Sequence, residues 1–107
     1  MPSILGTKVH ARRREKGLTL DQLAAATDSS KSYMWEIENK DVARPSGEKL
    51  ARIAKALDVT PEFLLDESRT EPTEDDLDVA FYRKYQGADP DVKAKIKNIL
   101  DILDDEE

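Results

Sequence analysis

The sequence predicts an all-α chain, and three observations predict it. Apolar residues recur three and four positions apart, the period that places them on one face of a helix. Each apolar run is preceded by Ser, Thr or Asp, whose side-chain oxygens accept hydrogen bonds from the first free N–H groups of a helix. Glycine or proline falls between most of the runs and punctuates them.

Ser3 caps the first expected helix, which carries Leu5 and Val9 inward and ends in Arg12, Arg13, Arg14 and Lys16, cations suited to a helix C-terminus, with Gly17 as a left-handed stop. Thr19 with Gln22 forms a capping box for a second helix of about two turns, with Leu20, Leu23 and Ala24 at helical spacing up to Thr27. Asp28 and Ser29 make the break. Ser30 caps a third helix in which Met34 and Ile37 point inward, leaving Lys31, Ser32, Tyr33 and Glu36 outward. Residues 39–45 lack apolar periodicity and end in proline, so a loop is expected. Ser46 caps a fourth helix with Leu50, Ile53, Ala54 and Leu57 at i, i+3, i+4 and i+7, and Thr60–Pro61 opens a short fifth with Phe63, Leu64 and Leu65.

The polar run at residues 66–72 divides the chain into an N-terminal domain, 1–67, and a C-terminal region, 68–107. Thr73 with Asp76 opens a helix carrying Leu77, Ala80, Phe81 and Tyr85, closed by Gly87. Asp89–Pro90 starts a last helix with Val92, Ile96, Ile99 and Leu103, and the two form a hairpin. This last apolar face has two destinations. It folds back on Leu77, Phe81 and Tyr85, or it forms a subunit interface through Val92, Ile96, Ile99 and Leu103, and a homodimer is the expectation adopted.

The 107 residues contain no cysteine, so a disulfide framework and thiolate zinc sites are excluded and a reducing, cytoplasmic setting is expected. Neither a signal peptide nor a membrane span is legible. The net charge of −6 argues at first against a phosphate-rich ligand, but its distribution removes the conflict. Residues 1–67 hold eleven cations and eleven carboxylates; residues 68–107 hold six against twelve. The acidity belongs to the hairpin.

The residues GLTLDQLA, SKSYMWEIEN, RPSGEKLARIAKALDV and TPEFLL, running from Leu5 to Leu65, resemble the Cro/cI-type, or XRE, helix-turn-helix family of phage repressors and small bacterial regulators. The resemblance implies a five-helix, lambda-repressor-like DNA-binding domain followed here by a helical hairpin. It implies that Ser30, Lys31, Ser32, Tyr33 and Glu36 face base edges, with Lys31 suited to guanine, Glu36 to cytosine N4 and Tyr33 to a thymine methyl or a phosphate. It also implies phosphate contacts at Thr19, Asn39, Lys40 and Arg44 and a structural ion pair between Arg13 and Glu38. The chain departs from the family pattern at several places. Asp28 stands where glycine is common and Ser29 where an aliphatic anchors the turn, which predicts a less rigid turn. Leu20 replaces a glutamine that several phage repressors use on DNA, Arg12 a leucine, and Lys40 a glycine.

Other chemistry finds little to build on. His10 is the only histidine, and its charged neighbours make it a solvent-facing residue. The carboxylates Asp75, Asp76, Asp78, Asp104, Asp105, Glu106 and Glu107 lack the spacing and glycine of a calcium loop and read as a solvated charge run. No enzyme site, cofactor or metal is expected. Trp35 has three open readings: packing on a neighbouring helix, lying near the DNA backbone, or forming part of a partner surface. The leading expectation is a regulator, in the sense of a repressor, that binds a palindromic operator as a homodimer. The alternative is an antitoxin, or an adaptor controlled by a protease or other partner that docks on the acidic hairpin.

Overall fold

The structure is a computed structural model that describes residues 2–41 and 44–105. Val42 and Ala43 of the expected loop, and Glu106 and Glu107 of the acidic run, lie outside the described residues. The described residues form α1 (Ile4–Glu15), α2 (Leu20–Ala26), α3 (Lys31–Asn39), α4 (Gly47–Ala56), α5 (Pro61–Leu65), α6 (Glu74–Gln86) and α7 (Pro90–Asp105), with no strand among them.

Local chemistry starts the helices where expected. The hydroxyls of Ser3, Ser30, Ser46 and Thr60 accept from the backbone N–H three residues on, and Thr19/Gln22 and Thr73/Asp76 form reciprocal capping boxes. Gly17 ends α1 at φ +69°, in the left-handed region that glycine enters without steric cost. Gly87 ends α6 differently, at φ −83°. A second left-handed residue, Asp58 at φ +56°, closes α4.

The core lies entirely within α1–α5 and the turn between α4 and α5. Val9, Leu23, Met34, Ile37, Leu50, Ile53, Leu57, Val59, Phe63 and Leu64 are buried. Full burial of such a side chain contributes roughly 1.5–3 kcal/mol. Gly6 lets α1 cross α3 at close range, because a Cβ there would sit 2.3 Å from the Ile37 carbonyl oxygen. Two cations close helix ends from the inside. Lys8, only 3% exposed, donates from Nζ to the carbonyls of Phe63, at 2.6 Å, and Asp66, with its ammonium 4.3 Å from the Phe63 ring centre. Burial lowers the Lys8 pKa. Arg12 donates to the Leu57 carbonyl at 3.1 Å and pairs with Glu15 at 2.6 Å, so the arginine in the family's leucine position caps α4.

No residue of α6 or α7 is buried. Val92 and Ile96 face Leu77, Phe81 and Tyr85 across a cavity of about 400 Å³, so the fold-back is partial. Ile99, Leu100, Ile102 and Leu103 remain 51–56% exposed. The hairpin lengthens the molecule to 51 × 28 × 24 Å and its radius of gyration to 15.6 Å. A compact chain of this length has a radius near 13 Å. Charges tie α6 back to the core. Arg83 meets Glu62 at 3.1 Å, Lys84 meets Asp58 at 2.9 Å, and Arg69 bridges Asp66, at 2.9 Å, and Asp76.

Candidate nucleic-acid interface

Helices α2 and α3 are joined by Thr27, Asp28, Ser29 and Ser30. Asp28 takes the left-handed conformation at φ +54° that a family glycine would supply, a conformation Asp tolerates better than most residues. Ser29 does forgo an apolar anchor, but the turn is anchored by charge instead. The ammonium of Lys49 reaches across from α4 and donates to the Thr27 and Asp28 carbonyls, each at 3.0 Å, and to the Ser29 hydroxyl at 2.8 Å. The buried Thr27 hydroxyl donates back into α2 at the Leu23 carbonyl, 2.9 Å away. No local pattern marks Lys49 for this role, because the partners lie about twenty residues away in the chain.

On α3, Met34, Ile37 and Glu38 are buried, which leaves Lys31, Ser32, Trp35 and Glu36 on the exposed side. Residues 31 and 35, and 32 and 36, are one turn apart and therefore neighbours on the helix surface. With Leu20 of α2 they line one open cleft of about 310 Å³. The Lys31 ammonium lies 3.5 Å from Asp21, an exposed pair that holds it weakly. Tyr33 is separated from this group. It is half-buried against the core, and its ring lies 5.8 Å from the Lys49 ammonium. Ser30 accepts from the Tyr33 N–H, so its hydroxyl is occupied as a cap.

The expected phosphate contacts are also dispersed. Thr19 caps α2 through Gln22, while Asn39 donates its amide to the Trp35 carbonyl at 2.9 Å. Lys40 places its ammonium 5.8 Å from the Trp35 ring, and Arg44 is exposed beside Ser3, Ile4, Asp41 and Glu67.

Beneath α3, Arg13 Nε and Nη2 donate to the Glu38 carboxylate at 2.7 and 3.0 Å, and Arg13 Nη1 donates to the Leu18 carbonyl at 3.0 Å. Hydrogen bonding to Glu38 raises the Arg13 pKa. His10 joins them. Half its ring is exposed, as expected, but Nδ1 sits 2.8 Å from Glu38 Oε1, so the histidine completes a three-member cluster. A profile of helix-turn-helix proteins matches residues 9–64, half of the chain and all of this constellation from Val9 onward.

The chain belongs to the helix-turn-helix family. The Cro/cI-type resemblance read from the residues is thereby shown. Among helix-turn-helix relatives, the chain is 33% identical to the HTH-type transcriptional regulator SinR of Bacillus subtilis (strain 168) over 75 residues, covering 70% of this chain and 68% of SinR. It also superposes on SinR solved in complex with DNA, with a TM-score of 0.55 and 35% identity over 58% of this chain and 98% of the other. The SinR/SinI protein complex gives a TM-score of 0.58 at 24% identity over 94% of this chain and 98% of that chain, a likeness of fold that extends through the hairpin. Among the described residues no helix is long and apolar enough to cross a membrane.

Proposed function

We propose that this helix-turn-helix chain is a transcriptional regulator that binds a specific operator through α3, acting as a repressor and as a homodimer. The carrying observation is the α3 surface itself. Its polar side chains Lys31, Ser32 and Glu36 line one open cleft, Lys31 held only by an exposed pair with Asp21, while the opposite side of the same helix is clamped by the core and by the Arg13–Glu38 pair. A major groove about 12 Å wide admits one helix presented in this way. SinR, similar over these residues, is a transcriptional regulator and has been solved with DNA. Lys31 donates to guanine, Glu36 accepts from cytosine, and Ser32 serves either; Ser30, the cap of α3, and Tyr33, turned toward the core, stand outside this set. Thr19, Asn39, Lys40 and Arg44 contact phosphates and set register. Residues 1–67 bind DNA in the cytoplasm without cofactor or catalysis, and residues 68–107 join two copies, so that half-sites fall about 34 Å apart or at a multiple of that.

Selection of bound fragments from random DNA by the purified chain tests this. A recovered motif with two-fold symmetry is expected. Lys31→Ala and Glu36→Ala should alter its bases, whereas Arg44→Ala should weaken all sequences alike and lower the salt slope by about one. Failure to enrich any sequence, or binding indifferent to salt, would sink the reading.

The exposed apolar residues of α7 beside the acidic α6 also favour a second reading, in which the hairpin docks a basic protein partner, as in an antitoxin or a partner-controlled adaptor. A co-purifying partner that binds residues 68–107 and displaces the homodimer would support it; a hairpin that pairs only with itself would not.

A further inference from the structure

The cleft on α3 is not wholly polar. Two of its five lining side chains, Leu20 and Trp35, are apolar, and the core accounts for only part of Leu20 and for none of the exposed face of Trp35. Trp35 is 48% exposed, although a tryptophan is among the side chains that gain most from burial. Leu20 packs against the core on one side and turns its remaining surface to the cleft, in the place where polar reading would be expected of α2. Both sit among Lys31, Ser32 and Glu36, so whatever those residues face, Leu20 and Trp35 face too.

From this juxtaposition we infer that Leu20 and Trp35 form an apolar reading patch for the C5-methyl groups of thymine. The inference rests on the DNA-binding reading above. In the major groove thymine alone presents a methyl group, beside its O4 acceptor, whereas guanine and adenine present only hydrogen-bonding groups there. An indole face and a leucine side chain satisfy neither donors nor acceptors, so covering a guanine or adenine edge would leave polar atoms desolvated and unpaired. Covering a methyl removes apolar surface from water at no such cost. The patch therefore selects by attraction to thymine and by penalty against the rest, beside Lys31 and Glu36, which select by hydrogen bonds.

Uracil separates this from other roles, because deoxyuridine keeps the pairing edge of thymine and lacks only the methyl. Operator duplexes from the selection are remade with deoxyuridine replacing thymine one position at a time, and Kd is measured for the full chain. At one or two positions in each half-site binding should weaken about four-fold, the fold-change equivalent to about 0.8 kcal/mol for one buried carbon group. That penalty should disappear in Leu20→Ala/Trp35→Ala and persist in Lys31→Ala. Trp35 is the only tryptophan, so its emission reports the contact directly and should be shielded from acrylamide in the complex. If the double variant folds poorly by circular dichroism, Trp35→Phe and Trp35→Ala at the half-exposed position carry the comparison. Equal affinity for thymine and uracil at every position overturns the inference while leaving the regulator intact, as does a uracil penalty that survives removal of both side chains. A chain that enriches no DNA overturns both.

Discussion

Glu38 shows how much one side chain of this protein depends on its neighbours. Its carboxylate is 1% exposed and is compensated by Arg13, itself 13% exposed, with His10 at the rim. Removing one partner of a buried pair leaves an uncompensated charge, at a cost of roughly 3–5 kcal/mol. Arg13→Ala should therefore lower stability by that order in urea unfolding followed by circular dichroism. Glu38→Gln, which keeps hydrogen-bonding atoms without the charge, should cost less. Equal and small losses in both would show that the pair does not brace α3. The pair was legible from family resemblance, because both residues occupy motif positions. Lys8, Arg12, Gly6 and Lys49 were not. Each acts on backbone atoms of an element remote in sequence, and no spacing along the chain states which carbonyl a long cationic side chain will reach.

At the scale of elements, every helix start was legible, since caps and amphipathic period are settled within about four residues. The attachment of α6 was not, because it consists of ion pairs across the surface. The Ser68 hydroxyl and N–H and then Arg69 hold the Asp66 carboxyl down to about 2. The Thr73 N–H and then Arg69 lower Asp76, and hydrogen bonding from Arg83 lowers Glu62. For Asp58, burial pushes the pKa upward, but hydrogen bonds from Lys16 and Lys84 outweigh it and the net direction is down. Carboxyls depressed in the folded state stabilise it fully above their unfolded values, near 4, and that contribution fades as pH falls through the folded values toward 2. Hydrogen exchange measured between pH 6 and pH 2 should show α6 losing protection before α4. Loss of both helices at one pH would mean that these pairs do not hold α6 to the core.

For the whole molecule, the main feature is an apolar α7 that the described residues cover only in part: Val92 and Ile96 face α6, while Ile99, Leu100, Ile102 and Leu103 stay more than half exposed. Helices gain most of their stability in proteins from tertiary packing, and α7 buries none of its residues. Under the proposed dimer, Ile99→Asp with Leu103→Asp should give a monomer by analytical ultracentrifugation while α1–α5 stay folded. Operator affinity should fall as two-site binding is lost. A variant that stays dimeric would move the interface away from Val92, Ile96, Ile99 and Leu103. The sequence by itself determined the seven helices, the charge division and the family, because these follow from interactions between close neighbours and from motif residues in fixed order. Only the tertiary structure decided that Lys49 anchors the turn, that Tyr33 parts company with Lys31, Ser32 and Glu36, and that Leu20 and Trp35 share their cleft. Those outcomes depend on which faces of separate helices meet, and packing across the core sets that at distances in sequence that local patterns do not encode.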